Sequence, residues 1–255
     1  MSRPDRDEFY VGYLQPPPGI RSAVRKWTTG LLVAGTVLGG ALAGDMSPFP
    51  VKVFEWGKPR SFEGWLEARP VPSLLVRRPG TVEPAELWTR YLLVRPGKFG
   101  AAEDVVEFDG NRVALEGTLI YREDQAMIEV VPGSLQRAAF EGGGPDGAVE
   151  SLGEHTLVGE IVDSKCYLGV MSPGATKPHR ACATRCIAGG IPPVFLVRQE
   201  DGRALYLLLL SREGETVNQD VLSMVAEPLE ITGDVERHAD LLVLKADPST
   251  YRRRT

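Results

Sequence analysis

Apolar and polar residues alternate in short bursts along most of this chain, and Gly and Pro punctuate the bursts. Helical periodicity is largely missing, so the pattern predicts short β-strands joined by turns. Five such strands begin near Phe62. They are a glycine strand (Gly64-Trp65-Leu66), a proline-led strand ending in Val-Arg (Pro72 to Arg77), a tyrosine strand (Tyr91 to Val94), a strand ending in Gly (Val113 to Gly117) and a closing strand (Met127 to Val130). Five more follow in the same order: Gly159-Glu160-Ile161, Pro192 to Arg198, Tyr206 to Leu209, Leu229 to Gly233 and Leu241 to Leu244. The first glycines lie 95 residues apart, the tyrosines 115 and the later glycines 116. The second set therefore carries an insertion of about twenty residues between its first two strands, as expected of a repeated fold with a segment added to one copy.

Five strands per copy suit a small closed or partly open barrel of the OB type. One stretch breaks the β pattern. Residues 27–44, WTTGLLVAGTVLGGALAG, run 18 positions without a charge, roughly 27 Å as a helix and close to the thickness of a bilayer core. The expected fold class is thus mainly β, with one N-terminal transmembrane helix and two small OB-like β-barrel units, the second carrying a short inserted helix. The expected organisation is a cytoplasmic segment (1–26), the transmembrane anchor (27–44), a Pro-containing tether (45–60), β unit 1 (61–132), a Gly-rich linker (133–155), β unit 2 (156–248) and a tail (249–255).

Charge orients the anchor. Residues 1–26 carry five basic groups against three acidic ones, whereas residues 45–255 carry 24 basic and 31 acidic groups. The positive-inside tendency places the N-terminus in the cytoplasm and exports the body from the cytoplasmic (inner) membrane. A cleaved signal peptide is the alternative, since Ala41-Leu42-Ala43 is an A-x-A-like site. Within the anchor Gly35, Gly39 and Gly40 form a small-residue stripe, the pattern by which membrane helices approach one another. It predicts partners among the transmembrane helices of a membrane complex. The acidic body speaks against nucleic acid, which needs a basic face. No serine elbow, Walker loop, dinucleotide fingerprint or H-E-x-x-H is present.

All three cysteines and one of the three histidines fall in the insertion, as Cys166-x12-His179-x2-Cys182-x3-Cys186. Pro178 suits a helix start and Gly189-Gly190 a helix stop. On that helix His179, Cys182 and Cys186 share one face, and Cys166 at the end of the preceding strand can close over them. Four ligands of these types fit a tetrahedral site for zinc or another transition metal. A disulfide from Cys166 to Cys182 or Cys186 is the competing expectation in an oxidising compartment, and a reactive thiol is a third. Asp163 stands where it can turn the chain or orient His179.

Residues 157–246 resemble a group of small exported bacterial domains of unknown function with the motif G-x-[IV]-x-D-x-x-C, then His, then C-x3-C. Here it reads Gly159, Asp163, Cys166, His179, Cys182 and Cys186, followed by Gly189, Tyr206 and Gly233. Cys166-Tyr167 replaces the Cys-Gly of many such sequences. The resemblance implies export and an OB-like fold, and no activity. The function expected is that of a membrane-anchored accessory or binding subunit of a membrane complex, respiratory or redox in kind, with no catalytic residue. The alternative is a stand-alone periplasmic redox enzyme that uses a metal or a thiol.

Overall fold

The computed structural model describes residues 12, 15–45, 51–79, 88–139, 144–145, 147–199 and 203–254. Residues 1–11 and 13–14 of the expected cytoplasmic segment, 46–50 of the tether, and Gly142, Gly143 and Asp146 of the linker lie outside them. The chain divides into two compact units, Met1–Phe49 and Pro50–Thr255. The first holds helix α1 (Pro18–Asp45). This helix is long and apolar enough to cross a membrane. It begins nine residues before the apolar stretch, because Pro18 pre-sets the backbone of a first helical turn and Arg21, Arg25 and Lys26 are good helix formers.

The second unit is β throughout, apart from short helices. β2 (Arg60–Glu67), β3 (Ser73–Arg77), β4 (Trp88–Val94), β5 (Arg112–Arg122) and β6 (Gln125–Val130) close a barrel in the order β2-β3-β4-β6-β5-β2. Helix α2 (Ala102–Val105) lies between β4 and β5. β8 (Val149–Asp163), β9 (Pro193–Arg198), β10 (Ala204–Leu210), β11 (Leu229–His238) and β12 (Leu241–Lys245) repeat that order. In each barrel the third and fifth strands run parallel and all other pairs antiparallel. This five-stranded, mixed closure is OB-like.

The two barrels agree in register as well as order. Gly64 faces Val113 and Gly159 faces Leu229. Each of these glycines is needed for a close crossing: a Cβ there would stand 2.4 Å from Leu75 O and 2.3 Å from Leu196 O, respectively. The tyrosine landmark, however, is displaced. Leu92 pairs with Met127 and Leu208 with Val243, so equivalent positions differ by 116 and Tyr91 matches Leu207 rather than Tyr206. A one-residue slip reverses the face in a strand. Accordingly Tyr91 packs on the interior of the first barrel, while Tyr206 joins the apolar core between the barrels.

Three short strands lie outside the expected β units. β1 (Lys52–Phe54) falls in the tether and pairs with β5, β7 (Gln136–Arg137) falls in the linker and also pairs with β5, and β13 (Arg252–Arg253) falls in the tail and pairs with β11. β8 likewise begins at Val149, inside the expected linker, and pairs with β11 as far as His238. β5 is the longest strand of the first barrel and β11 is second only to β8 in the other, and backbone groups that β5 and β11 leave over pair with these additions.

Each barrel has its own interior, one around Leu66, Leu74, Val113 and Ile128, the other around Ile161, Phe195, Leu209 and Ile231. A third cluster joins Leu92, Val94, Ile120 and Met127 of the first barrel to Val162, Cys166, Leu168, Cys186 and Leu208 of the second. The Cys/His insertion therefore lies between the barrels. It is not a loop at the free end of one of them.

Candidate metal centre between the two barrels

Asp163 ends β8 and starts the site. Its Oδ1 accepts the Cys166 backbone N–H at 2.7 Å, and its Oδ2 lies 3.1 Å from His179 Nε2. Both roles considered for this residue, turning the chain and orienting the histidine, are thus filled by one carboxylate. Cys166 opens a wide helical turn (Cys166–Val170). The chain returns through a 3-10 turn (Lys177–His179) into α3 (Arg180–Ala188). His179 precedes α3 as its N-cap residue, and Cys182 and Cys186 follow on the same face. Asn218 fixes the far end of α3 by donating to Ile187 O at 2.8 Å and Ile191 O at 2.9 Å.

All three cysteines are free thiols. Donor atoms of Cys166, His179 and Cys182 lie within 4.8 Å of one another, and so do those of Asp163, Cys166 and Cys186. The four residues named from the sequence thus meet in two overlapping sets that share Cys166. Ligand atoms around tetrahedral zinc stand roughly 3.8 Å apart, given metal–sulfur bonds of about 2.3 Å, and each set lies within about 1 Å of that spacing or closer. With Nε2 engaged by Asp163, Nδ1 is the histidine nitrogen left for a metal. Cys166, Cys186 and His179 are buried, and Cys182 is half-buried.

The thiols are not equivalent. A hydrogen bond to Cys186, burial and the Asp163 carboxylate all push the Cys166 thiol up, so it keeps its proton. The same bond from Cys166, aided by the Lys98 ammonium, brings the Cys186 thiol down to about 7 against the opposing effects of burial and Asp163. A thiol that gives up its proton more readily than usual, beside a second thiol and an oriented imidazole, is a donor set suited to zinc or a soft transition metal.

Two further residues bear on the site, and both tie it to the first barrel. Lys98, in the β4–β5 loop, places Nζ 2.7 Å from Cys182 Sγ and 3.6 Å from Cys186 Sγ. Lys165, buried beside Cys166, donates to Arg95 O at 2.7 Å and Gly97 O at 2.8 Å and pairs with Glu129 at 2.5 Å. Neither carried a local signal. Lys98 lies 84 positions from Cys182 in an ordinary Pro-Gly turn, and only the barrel-on-barrel packing brings it there. The other two histidines are elsewhere: His155 is exposed, with Nε2 on Leu152 O, and His238 pairs with Glu236.

No protein-family model matches the chain, and no curated protein does. Among solved structures, a deletion variant of the single-stranded DNA binding protein from Thermus aquaticus is similar over 81% of this chain and 88% of that one, at 14% identity and a TM-score of 0.23. A likeness this low decides nothing, and the OB-like fold rests on the strand pairing itself.

Proposed function

We propose that the protein is a membrane-anchored, exported binding subunit that holds one transition-metal ion, zinc in the simplest case, between its two β-barrels. Cys166, His179 and Cys182 supply the first three donors, Cys186 the fourth, and Asp163 positions the imidazole. The observation that carries this reading is the convergence of the Cys166, His179 and Cys182 donors within 4.8 Å, with Cys186 as near to Cys166 in the overlapping set. The apolar helix and its basic flank support export with the N-terminus in the cytoplasm. The stripe Gly35, Gly39 and Gly40 supports a place beside other transmembrane helices. The buried position of the cluster favours binding over turnover, since a substrate has no open approach to Cys166 or Cys186. A stand-alone redox enzyme is the second reading, favoured by the lowered Cys186 thiol; turnover lost on Cys182→Ser would support it. The test of the main reading is metal analysis of the full-length protein purified in detergent under reducing conditions. One equivalent of metal is expected, with loss of most of it in Cys166→Ser and His179→Ala. Metal-free protein after incubation with zinc or cuprous ion, followed by desalting, would overturn the reading.

A further inference from the structure

We propose that Lys98 and Cys182 form a modification site, in which dioxygen joins the two side chains through a single oxygen atom as Nζ–O–Sγ. The covalent step stands on geometry; its consequence for the metal rests on the reading above.

The distance carries the argument. An N–H···O hydrogen bond spans about 2.7–3.2 Å, and sulfur is a larger acceptor, so an N–H···S contact lies further out. Lys98 Nζ lies at such a distance from Cys186 Sγ, 3.6 Å, but only 2.7 Å from Cys182 Sγ. That shorter separation is close to the span of two single bonds through one shared atom, roughly 2.5 Å for N–Cα–C and slightly more with sulfur's longer bonds.

The pair is also held in register by both barrels. Gly189, at the end of α3, lies so close that a Cβ there would stand 2.0 Å from Lys98 O. Gly100 N donates to Gly189 O at 2.9 Å, and Lys165 fixes the carbonyls of Arg95 and Gly97 on the other side. Lys98 is solvent-facing, and Cys182 is the one cysteine of the three with appreciable exposure, so dioxygen reaches this sulfur before the others.

The chemistry balances with dioxygen as the oxidant. Lysine ammonium, cysteine thiolate and dioxygen give the N–O–S bridge and one water. One N–O bond and one O–S bond form, and the O–O bond breaks. Two hydrogens leave the nitrogen with the second oxygen as water, and dioxygen takes up four electrons from nitrogen and sulfur. Two equivalents of a dithiol, each oxidised to a disulfide, supply the four electrons that cleave both bonds of the bridge, release its oxygen as water and restore both side chains. While it is present, the bridge withdraws Cys182 from the donor set and locks the β4–β5 loop of the first barrel to α3 of the second.

Intact-mass spectrometry of the full-length protein, equilibrated with air and then treated with dithiol, tests this. The air-equilibrated protein should be about 14 Da heavier than the reduced one, and a digest should contain a reducible cross-link between the peptides holding Lys98 and Cys182. Lys98→Arg, which keeps the cation, should lose the cross-link. A Cys182 that is quantitatively alkylated after air exposure, that pairs in a disulfide, or that gains about 16 or 32 Da as a sulfenic or sulfinic acid without a cross-link would overturn the proposal. Metal content of the reduced protein separates the two readings. Metal binding with no bridge rejects the bridge alone, and a bridge in protein that binds no metal when reduced rejects the metal site alone.

Discussion

Lys165→Met probes the joint between the barrels. The Lys165 side chain is 3% exposed and Glu129 is 10% exposed, and their charged ends are 2.5 Å apart. Methionine keeps most of the apolar stem and removes the ammonium. Glu129 is then left as a buried carboxylate without its partner, and the carbonyls of Arg95 and Gly97 lose a donor. Breaking a buried pair from one side costs about 3–5 kcal/mol, and each orphaned carbonyl adds about 1 kcal/mol or more unless water enters. With water entering to satisfy the two carbonyls, the pair alone sets the expected loss at about 4 kcal/mol, or a fall of roughly 8–16 °C in Tm at about 2–4 °C per kcal/mol for a body of this size. Glu129→Leu alone should cost a similar amount, because Lys165 is then the unpaired charge. The double variant should be more stable than the sum of the singles requires, by about 2 kcal/mol or more. Urea unfolding of the full chain in detergent, followed by the fluorescence of Trp56, Trp65 and Trp88 in and beside the first barrel, reads all three. Singles that each cost less than about 1 kcal/mol and add without coupling would refute the view that the insertion binds the barrels through this pair.

The other predictions concern charge and membrane. In the reduced, metal-free protein, the ultraviolet absorbance of thiolate should rise as pH increases through about 7, from Cys186, while Cys166 stays protonated well above that. Because the folded Cys186 pKa lies below its ordinary 9.0, this thiol stabilises the fold most at alkaline pH and the contribution fades as pH falls through about 7; Cys186→Ser should remove both effects. If the proposed partner helices pack on the glycine stripe, replacing Gly35 and Gly39 by Leu should abolish co-purification of other membrane proteins while leaving the chain in the membrane. Unchanged co-purification would argue against the glycine stripe as the contact.

Much of this structure was written locally. The ten barrel strands and the insertion between the first and second strands of the second barrel follow from glycine and proline punctuation and from the offset of 95 against 116. The four donors follow from Cys and His spacing on a short helix, with Asp163 three residues before the first cysteine. What was hidden is what depends on long-range pairing. β1, β7 and β13 are two or three residues long and exist only because β5 and β11 offer unpaired backbone groups. The tyrosine match misled because Tyr91 and Tyr206 occupy adjacent registers and opposite faces, a difference that period-two patterning cannot resolve in an all-apolar strand such as Tyr206-Leu207-Leu208-Leu209. Lys98 and Lys165 look like any surface cation in the chain. Only the packing of one barrel on the other turns them into neighbours of the cysteines and of Glu129.

The central claim is a metal held by thiolates and one imidazole at the barrel junction, and X-ray absorption at the metal edge of the zinc-loaded, reduced protein tests it most directly. The account predicts a first shell dominated by sulfur at about 2.3 Å with one nitrogen scatterer at about 2.0–2.1 Å showing imidazole outer-shell features, and loss of that imidazole signature in His179→Ala. A shell of oxygen and nitrogen without sulfur, or an unchanged spectrum in His179→Ala, would contradict it.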